Sequence, residues 1–351
     1  MTQRGILIYG ANGYTGELVA RTARERGVLP VLGGRSAVPI ETLGRELGLH
    51  SRIFPLEDPR AISRALDGIA VVIHCAGPFS RTSKPMADAC LAAKTHYLDI
   101  TGEAAVFESL AARDREARDA GVMLLPGAGF DVVPSDCLAA HLKRRLPSAS
   151  SLVLAFHSAG AQLSRGTATT MLENLHRGGL VRKTGVLTPV PAAWKTRDVD
   201  FGHGPRRVAT IPWGDVSTAY YSTGIPDIEV YAAMPASMIL ASRLTRPFKA
   251  LFATTWVQSF LKRRILSGAP GPSAERRARA QSLFWGEVSD GSRSVASRQR
   301  TPEGYSLTAL TAVAAAQKVL AGEAPPGFMT PSKAYGPDFV LEIPGVTRED
   351  L

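Results

Sequence analysis

The sequence predicts an α/β protein: a doubly wound parallel sheet joined to a second α+β domain built on a mostly antiparallel sheet. Three observations predict it. The apolar run at 5–9 passes through a glycine-rich turn, Gly10-Ala11-Asn12-Gly13-Tyr14-Thr15-Gly16, into a pattern that puts Leu18, Val19, Thr22 and Ala23 on one helical face. Short apolar runs then alternate with helical patterns as far as Pro126, the alternation that builds a parallel sheet with helices on both sides. Beyond Ser151 the runs lengthen and carry prolines, which suits an antiparallel sheet with irregular edges. A glycine turn between a first strand and a first helix marks the parallel sheet as Rossmann-type.

In order, strands are expected at 5–9, 28–33, 52–56, 69–76, 95–100 and 122–126, with helical segments at 39–47, 61–66, 84–93 and 106–120. A further helix is expected to begin at Cys137. In the second half, 151–159 reads as a strand and 166–175 as a short helix. The stretches 185–201 and 207–234 read as β structure broken by Pro189, Pro191, Pro212 and Pro226. Residues 236–266 are strongly apolar and helical, split by Pro247. Arg243, Arg246 and Lys249 interrupt the apolar run and argue against a membrane-spanning helix. A helix pair packed on the sheet is the first reading there, and a greasy face for a long-chain substrate or a membrane interface is the second. A returning hairpin is expected at 282–289 and 293–301, and a helix at 305–320. The domain boundaries implied are 1–130 for the first domain, with 303–351 folding back on it, and 131–302 for a substrate or dimerisation domain. No repeat or low-complexity segment interrupts this plan.

Composition narrows the class. Hydrophobic residues make up 45 % of the chain, enough for two cores. Cys75, Cys90 and Cys137 show neither metal-type spacing nor a disulfide framework, which fits a reducing cytoplasm. Met1-Thr2-Gln3-Arg4 runs straight into the first strand, so no signal peptide is expected. The seven histidines lack ligand spacing, so no metal is expected. The net charge of +10 is concentrated at Lys143-Arg144-Arg145, Arg206-Arg207, Lys262-Arg263-Arg264 and Arg276-Arg277-Arg279. Such clusters attract acidic partners, among them a nucleotide, an acidic carrier protein or an anionic membrane surface. Nucleic-acid motifs are absent. A second copy of the chain is a further partner that the second sheet could accept.

The glycine turn points to a dinucleotide. Gly10 permits a tight exit from the strand, Gly13 lets a pyrophosphate approach the backbone, and Gly16 lets helix and sheet pack closely. The N–H groups of the following helix face the phosphates. Asn12, Tyr14 and Thr15 complete the turn. About twenty positions on, where an NAD site carries an acidic residue, the chain has Arg35 and Ser36, a pair suited to a 2′-phosphate. The expected cofactor is therefore NADP(H). Cys75, Ala76, Gly77 and Pro78 end the fourth strand where the nicotinamide half must pass. A nicotinamide reaction needs a positioned acceptor and one managed proton. Candidates for that role are Asp131, Tyr97 and Tyr221, with His96, Ser135, Asp136, Asp215 and Tyr220 behind them. Asp131 is preferred, because it sits at the crossover between domains just past the sixth strand, where ligands collect in open sheets, and that place suits orienting the substrate or a loop more than acid catalysis. Ser135 and Asp136 could instead cap a helix, His96 could meet a backbone carbonyl, and Tyr220 and Tyr221 could pack in a sheet.

Several motifs together resemble the saccharopine dehydrogenase-like oxidoreductases. They are the glycine turn, Gly33 with Arg35, Gly77-Pro78-Phe79, Ala89-Cys90, 95–103, Gly129-Phe130-Asp131 and Pro134-Ser135-Asp136. The resemblance covers about the first 140 residues well and the rest loosely. It is closest to the trans-acting enoyl reductase branch and its eukaryotic oxidoreductase-like relatives. One departure is Ser83, where relatives carry glycine before Lys84-Pro85, which puts the path of that loop in question. The resemblance implies NADPH-dependent reduction of a conjugated C=C bond in an acyl, polyketide or polyene substrate, free or tethered to a carrier. Two alternatives stand beside it. One is C–N oxidoreduction of an amino-acid-derived imine, with Arg165, Arg206 and Arg207 as candidates to hold a dicarboxylate. The other is a non-catalytic NADP-binding scaffold.

Overall fold

The structure, a computed structural model, describes residues 5–160, 162–174, 178–244, 247 and 254–351. It comprises two compact units, one formed by the chain up to Val133 with Tyr305–Tyr335, the other by Pro134–Gly304 with Gly336–Leu351.

The first unit begins β1 (Gly5–Tyr9), α1 (Tyr14–Glu25), β2 (Val31–Gly34), α2 (Ala37–Leu47), β3 (Ser51–Ile53), α3 (Pro59–Ala65), β4 (Ile69–His74) and α4 (Phe79–Ala93). It continues β5 (His96–Asp99), α5 (Ala104–Ala111), α6 (Asp114–Ala120) and β6 (Met123–Leu125). The strands are near-continuous apolar runs because helices cover both faces: Leu7, Ile8, Leu32, Val71, Val72, Ile73 and Leu98 are fully buried. Pairing is parallel throughout. Local chemistry sets the helix ends. Asp58 accepts the N–H groups of Arg60 and Ala61 ahead of Pro59. Expected boundaries shift most in two helices. The helix expected at 106–120 is two helices, with Arg113 between them bonded to Glu116 and Asp88. The helix expected at 84–93 starts five residues earlier, at Phe79, so Ser83 is a buried helical residue rather than part of a loop.

The second unit is α7 (Val133–Arg145), β7 (Ser151–Ala159), α8 (Arg165–Asn174), β8 (Gly179–Lys183), β9 (Val186–Val190), β10 (Thr196–Asp200) and β11 (Pro205–Thr210). After these come α9 (Asp215–Thr223), β12 (Asp227–Ala233), α10 (Ala236–Leu244), α11 (Thr255–Leu266), α12 (Ala274–Arg279), β13 (Gln281–Ser289) and β14 (Ser294–Pro302). Its sheet is mixed, with β12 and β7 parallel and the other pairs antiparallel. Phe201, Val208, Tyr231, Leu283 and Trp285 fill one of its clusters. Three expectations are corrected here. The α7 helix begins at Val133 rather than Cys137, so Ser135 and Asp136 lie inside its first turn. Residues 215–223 are helical, so Tyr220 and Tyr221 sit on α9 rather than in a sheet. In α10 the described burial is confined to Ile239, while Met238, Leu240 and Leu244 face outward. Phe248, Leu251, Phe252, Arg246, Lys249, Leu175 and the N-terminal Met1–Arg4 lie outside the described residues.

The returning chain serves both units. The long helix α13 (Gly304–Leu320) leads to β15 (Gly327–Phe328) and α14 (Pro331–Tyr335). Strand β15 joins the first sheet beside β6, giving the order β15-β6-β5-β4-β1-β2-β3. The chain then crosses to the second unit, where β16 (Thr347–Asp350) pairs with β14 and completes the order β10-β11-β12-β7-β13-β14-β16. The expectation that all of 303–351 folds on the first domain is therefore corrected for Gly336–Leu351. Strand β16 finds an open edge at β14, and Asp350 is held there by His141, Arg145 and Ser297.

Candidate cofactor-binding site

The strand order of the first sheet reverses between β1 and β4, and this is where an open parallel sheet binds a ligand at its carboxyl edge. The glycine turn lies there. Gly10 has φ +80°, and a Cβ on it would stand 2.8 Å from the Ala76 backbone nitrogen, so only glycine lets β1 exit past the end of β4. Its N–H and that of Ala11 donate to the Gly33 carbonyl, tying the turn to β2. A Cβ on Gly16 would fall 2.2 Å from the Gly10 oxygen, so α1 can start this close to the turn only without a side chain. Gly13 is the N-cap of α1 and brings no side-chain acceptor. A Cβ there would meet within 4 Å only the Gly10 oxygen, at 3.2 Å. The turn is thus a glycine-lined hollow at a helix N-terminus, which fits a pyrophosphate.

The flanking residues extend it. Asn12 is exposed, with its Oδ1 beside Gly34. Thr15 is half-buried, and Tyr14 packs edge-on against Tyr305, ring centroids 5.1 Å apart. Arg35 and Ser36 are exposed just past the end of β2, and Ser36 makes no side-chain bond into α2 although it is the N-cap. Tyr9 donates to the Phe54 carbonyl; burial first, then Glu57, raises its hydroxyl to about 12, with Arg35 acting the other way. Across the sheet edge, the Cys75 N–H donates to the Tyr9 carbonyl. Cys75, Ala76 and Pro78 are half-buried and Gly77 is exposed, with a cis bond between Gly77 and Pro78. Burial, with Asp99 nearby, pushes the Cys75 thiol up, so it is no thiolate. Glu103 accepts the Phe79 N–H and so caps α4.

One strand further, Asp99 is a hub that sequence reading missed. Its Oδ1 accepts the N–H groups of Thr101 and Gly127, and its Oδ2 accepts the Tyr97 hydroxyl at 2.7 Å. Burial raises its pKa to about 6 against the pull of these bonds. Tyr97 is fully buried and its hydroxyl is committed to Asp99, which corrects its reading as a residue facing substrate. His96 accepts the Met123 N–H at its Nδ1. Asp131 is different. Its carboxyl occupies the space left by Gly102, where a Cβ would be 2.6 Å from Oδ2. Part of the residue is exposed, but Oδ1 is buried without a hydrogen-bond partner among the described residues. Burial raises its pKa to about 7. The 127–132 loop that carries it is fixed from α13, where Thr308 accepts the Phe130 N–H and Thr311 donates to the Ala128 carbonyl. Neither threonine carries a local signal of that role.

The remaining candidates belong to the second unit. Ser135 donates to Asp215 at 2.9 Å, and Asp136 and Asp215 are fully buried. Tyr221 is half-buried on α9, its ring 5.7 Å from that of Tyr220, over which the Arg182 guanidinium stacks at 4.2 Å. Arg165 donates to the Gly268 carbonyl, Arg207 pairs with Asp198, and Arg206 is exposed.

Comparison with known proteins agrees with this geometry. Residues 6–125 match the family model for the saccharopine dehydrogenase NADP binding domain. A trans-acting enoyl reductase of Mycobacterium ulcerans is 30 % identical over 148 residues, 40 % of this chain and 35 % of that protein. One of Mycobacterium tuberculosis is 31 % identical over the same length and shares. The match thus spans about a third of these relatives. Apo saccharopine dehydrogenase (L-Glu forming) of Saccharomyces cerevisiae superposes with TM-score 0.68 at 11 % identity, over 99 % of this chain and 100 % of that one, a likeness of fold. Residues 6–125 are thus similar to the saccharopine dehydrogenase NADP binding domain, and the cofactor is NADP(H).

Proposed function

We propose that this protein is an NADPH-dependent oxidoreductase that reduces a conjugated C=C bond of an acyl, polyketide or polyene substrate, free or tethered to an acidic carrier. The observation that carries the reading is the Asp131 carboxyl, partly buried and without a partner at Oδ1 among the described residues, at the carboxyl edge of the sheet whose switch point holds the glycine turn. When bound, NADPH supplies a hydride. In this reading the turn from Gly10 to Gly16 holds the pyrophosphate, Arg35 and Ser36 hold the 2′-phosphate, and 75–78 borders the nicotinamide. Asp131 handles the proton. Hydride addition at the β-carbon moves the π electrons onto the α-carbon, which takes the proton from the Asp131 carboxyl; water then reprotonates the carboxylate. A carboxyl with a pKa of about 7 is half-protonated at neutral pH, as a general acid needs to be.

The choice of C=C rests on the relatives named as enoyl reductases. It also gains from the commitment of Arg165 and Arg207 to other partners, which leaves Arg206 alone of the three expected to hold a dicarboxylate. The test offers the protein and NADPH enoyl thioesters or polyenes in one set and keto-acid plus amine pairs in another. Oxidation with the first set is expected, and Asp131→Asn should lower kcat about a hundredfold or more while leaving NADPH affinity within about twofold. Oxidation only with the second set would replace this reading by C–N chemistry. Tight NADPH binding with no turnover in either set would point to a scaffold.

A further inference from the structure

The helix α11 turns an unusual face to solvent. Val257, Leu261 and Ile265 are half-buried on its inner side, where Gln258 donates to the Leu172 carbonyl and Lys262 pairs with Glu173. The outer side carries Trp256, 75 % exposed, and Phe260, 54 % exposed, their rings stacked 6.3 Å apart. One turn on, Arg263 and Arg264 follow on the exposed side, without a side-chain partner among the described residues. The helix before it in sequence, α10, is built alike. Ile239 anchors it, while Leu240 and Leu244 project one turn apart and Met238 is exposed as well. Charge in this part of the chain has one sign. Between Glu229 and Glu275 there is no aspartate or glutamate, but there are Arg243, Arg246, Lys249, Lys262, Arg263 and Arg264. Two other basic clusters differ: Arg144 and Arg145 are braced by Asp338 and Asp350, and Arg207 by Asp198.

We propose that α10 and α11 dock the protein on an anionic lipid surface, with Trp256, Phe260, Leu240 and Leu244 entering the headgroup boundary and Arg263 and Arg264 meeting the phosphates. A solvated helix normally turns its apolar stripe inward, and two successive helices that each turn one outward need an apolar medium. The basic excess selects that medium. A second copy on a two-fold axis would set the same unpaired arginines against themselves, with no acid between. A carrier protein would offer acid, but a polar face that leaves Trp256 and Leu244 in water. An interfacial helix wants aromatic and leucine side chains beside arginines that reach the headgroups, as α11 has. Among the described residues no helix is long and apolar enough to cross a bilayer, so the contact would be monotopic.

The test is flotation of the full chain with vesicles of phosphatidylcholine, and of phosphatidylcholine mixed with phosphatidylglycerol, at low and high salt. Binding to the mixed vesicles alone is expected, weakened by salt. Trp256→Ala with Phe260→Ala, and separately Arg263→Glu with Arg264→Glu, should each lower the partition coefficient about tenfold or more. Undiminished NADPH binding would show that the variants are folded. Absence of binding at low salt, or equal binding by the variants, overturns the proposal. A dimer that dissociates in the Trp256→Ala, Phe260→Ala variant without vesicle binding assigns the face to a second copy. Binding of an acidic acyl carrier protein instead of vesicles assigns it to a carrier.

Discussion

In the proposed reading, one side chain, Arg35, sets cofactor choice. It is exposed past the end of β2, between Gly34 and Ser36, with no acidic residue in the position an NAD site uses. A charge-assisted contact to a 2′-phosphate is worth about 1.5–3 kcal/mol. Arg35→Ala should therefore lose roughly ten- to a hundredfold of the preference for NADPH over NADH in a fluorescence titration; an unchanged ratio would remove Arg35 from the site. Asp131 makes a prediction about pH. Its folded pKa of about 7 lies above the 3.8 of a free aspartate because burial disfavours the charge. The native state then holds a proton that the unfolded chain releases, so this residue's contribution to stability is full below about pH 4 and lost as pH climbs to about 7. Asp131→Asn should flatten the fall in Tm between these limits by several degrees, on the order of 2–4 °C per kcal/mol. An identical profile in the variant would mean that the carboxyl is solvated. Arg35 was legible because a strand end and a spacing mark it. The isolation of Asp131 was not, since it depends on Gly102 leaving room and on Thr308 and Thr311 arriving from far along the chain.

Among the elements, the parallel strands were legible because each is a compact apolar run between turn residues. Helix α9 was not. Val216, Thr218, Tyr220, Tyr221 and Thr223 favour strands by propensity. The structure makes them helical because the segment is packed inside the second unit, closed by Gly224 at φ +70°. A buried arginine holds it there. Arg182 donates to the Val216 and Gly185 carbonyls, both at 2.7 Å, and stacks on Tyr220. Arg182→Ala would strand those carbonyls and remove the stack, at a cost of about 2–4 kcal/mol. Urea unfolding should show that loss in the second unit while NADPH affinity persists; a loss under about 0.5 kcal/mol would mean that water replaces the guanidinium.

At the scale of the molecule, the two-unit plan was legible, but the path of the C-terminal segment was divided in a way that no local pattern marks. Strand β15 has two residues and β16 is polar, so neither reads as a strand; both are called into being by an open edge. The first unit depends on that return. A fragment ending at Val133 would expose the edge of β6 and lose the threonines that fix the 127–132 loop. Such a fragment should aggregate or bind NADPH at least about tenfold more weakly than the full chain. Equal affinity in a monomeric fragment would show that α13 and β15 are dispensable.

This interleaving bears on how the protein is made. A ribosome delivers the glycine turn ahead of the other strands of the first sheet, but β15 follows the whole of 134–304. At about 5–20 residues per second, the first sheet waits on the order of ten seconds or more for its edge. During that wait β6 is a bare template, and the later unit can gather most of its strands before the earlier one is closed. Nascent-chain length, rather than order along the sequence, would then govern when the cofactor pocket first becomes competent.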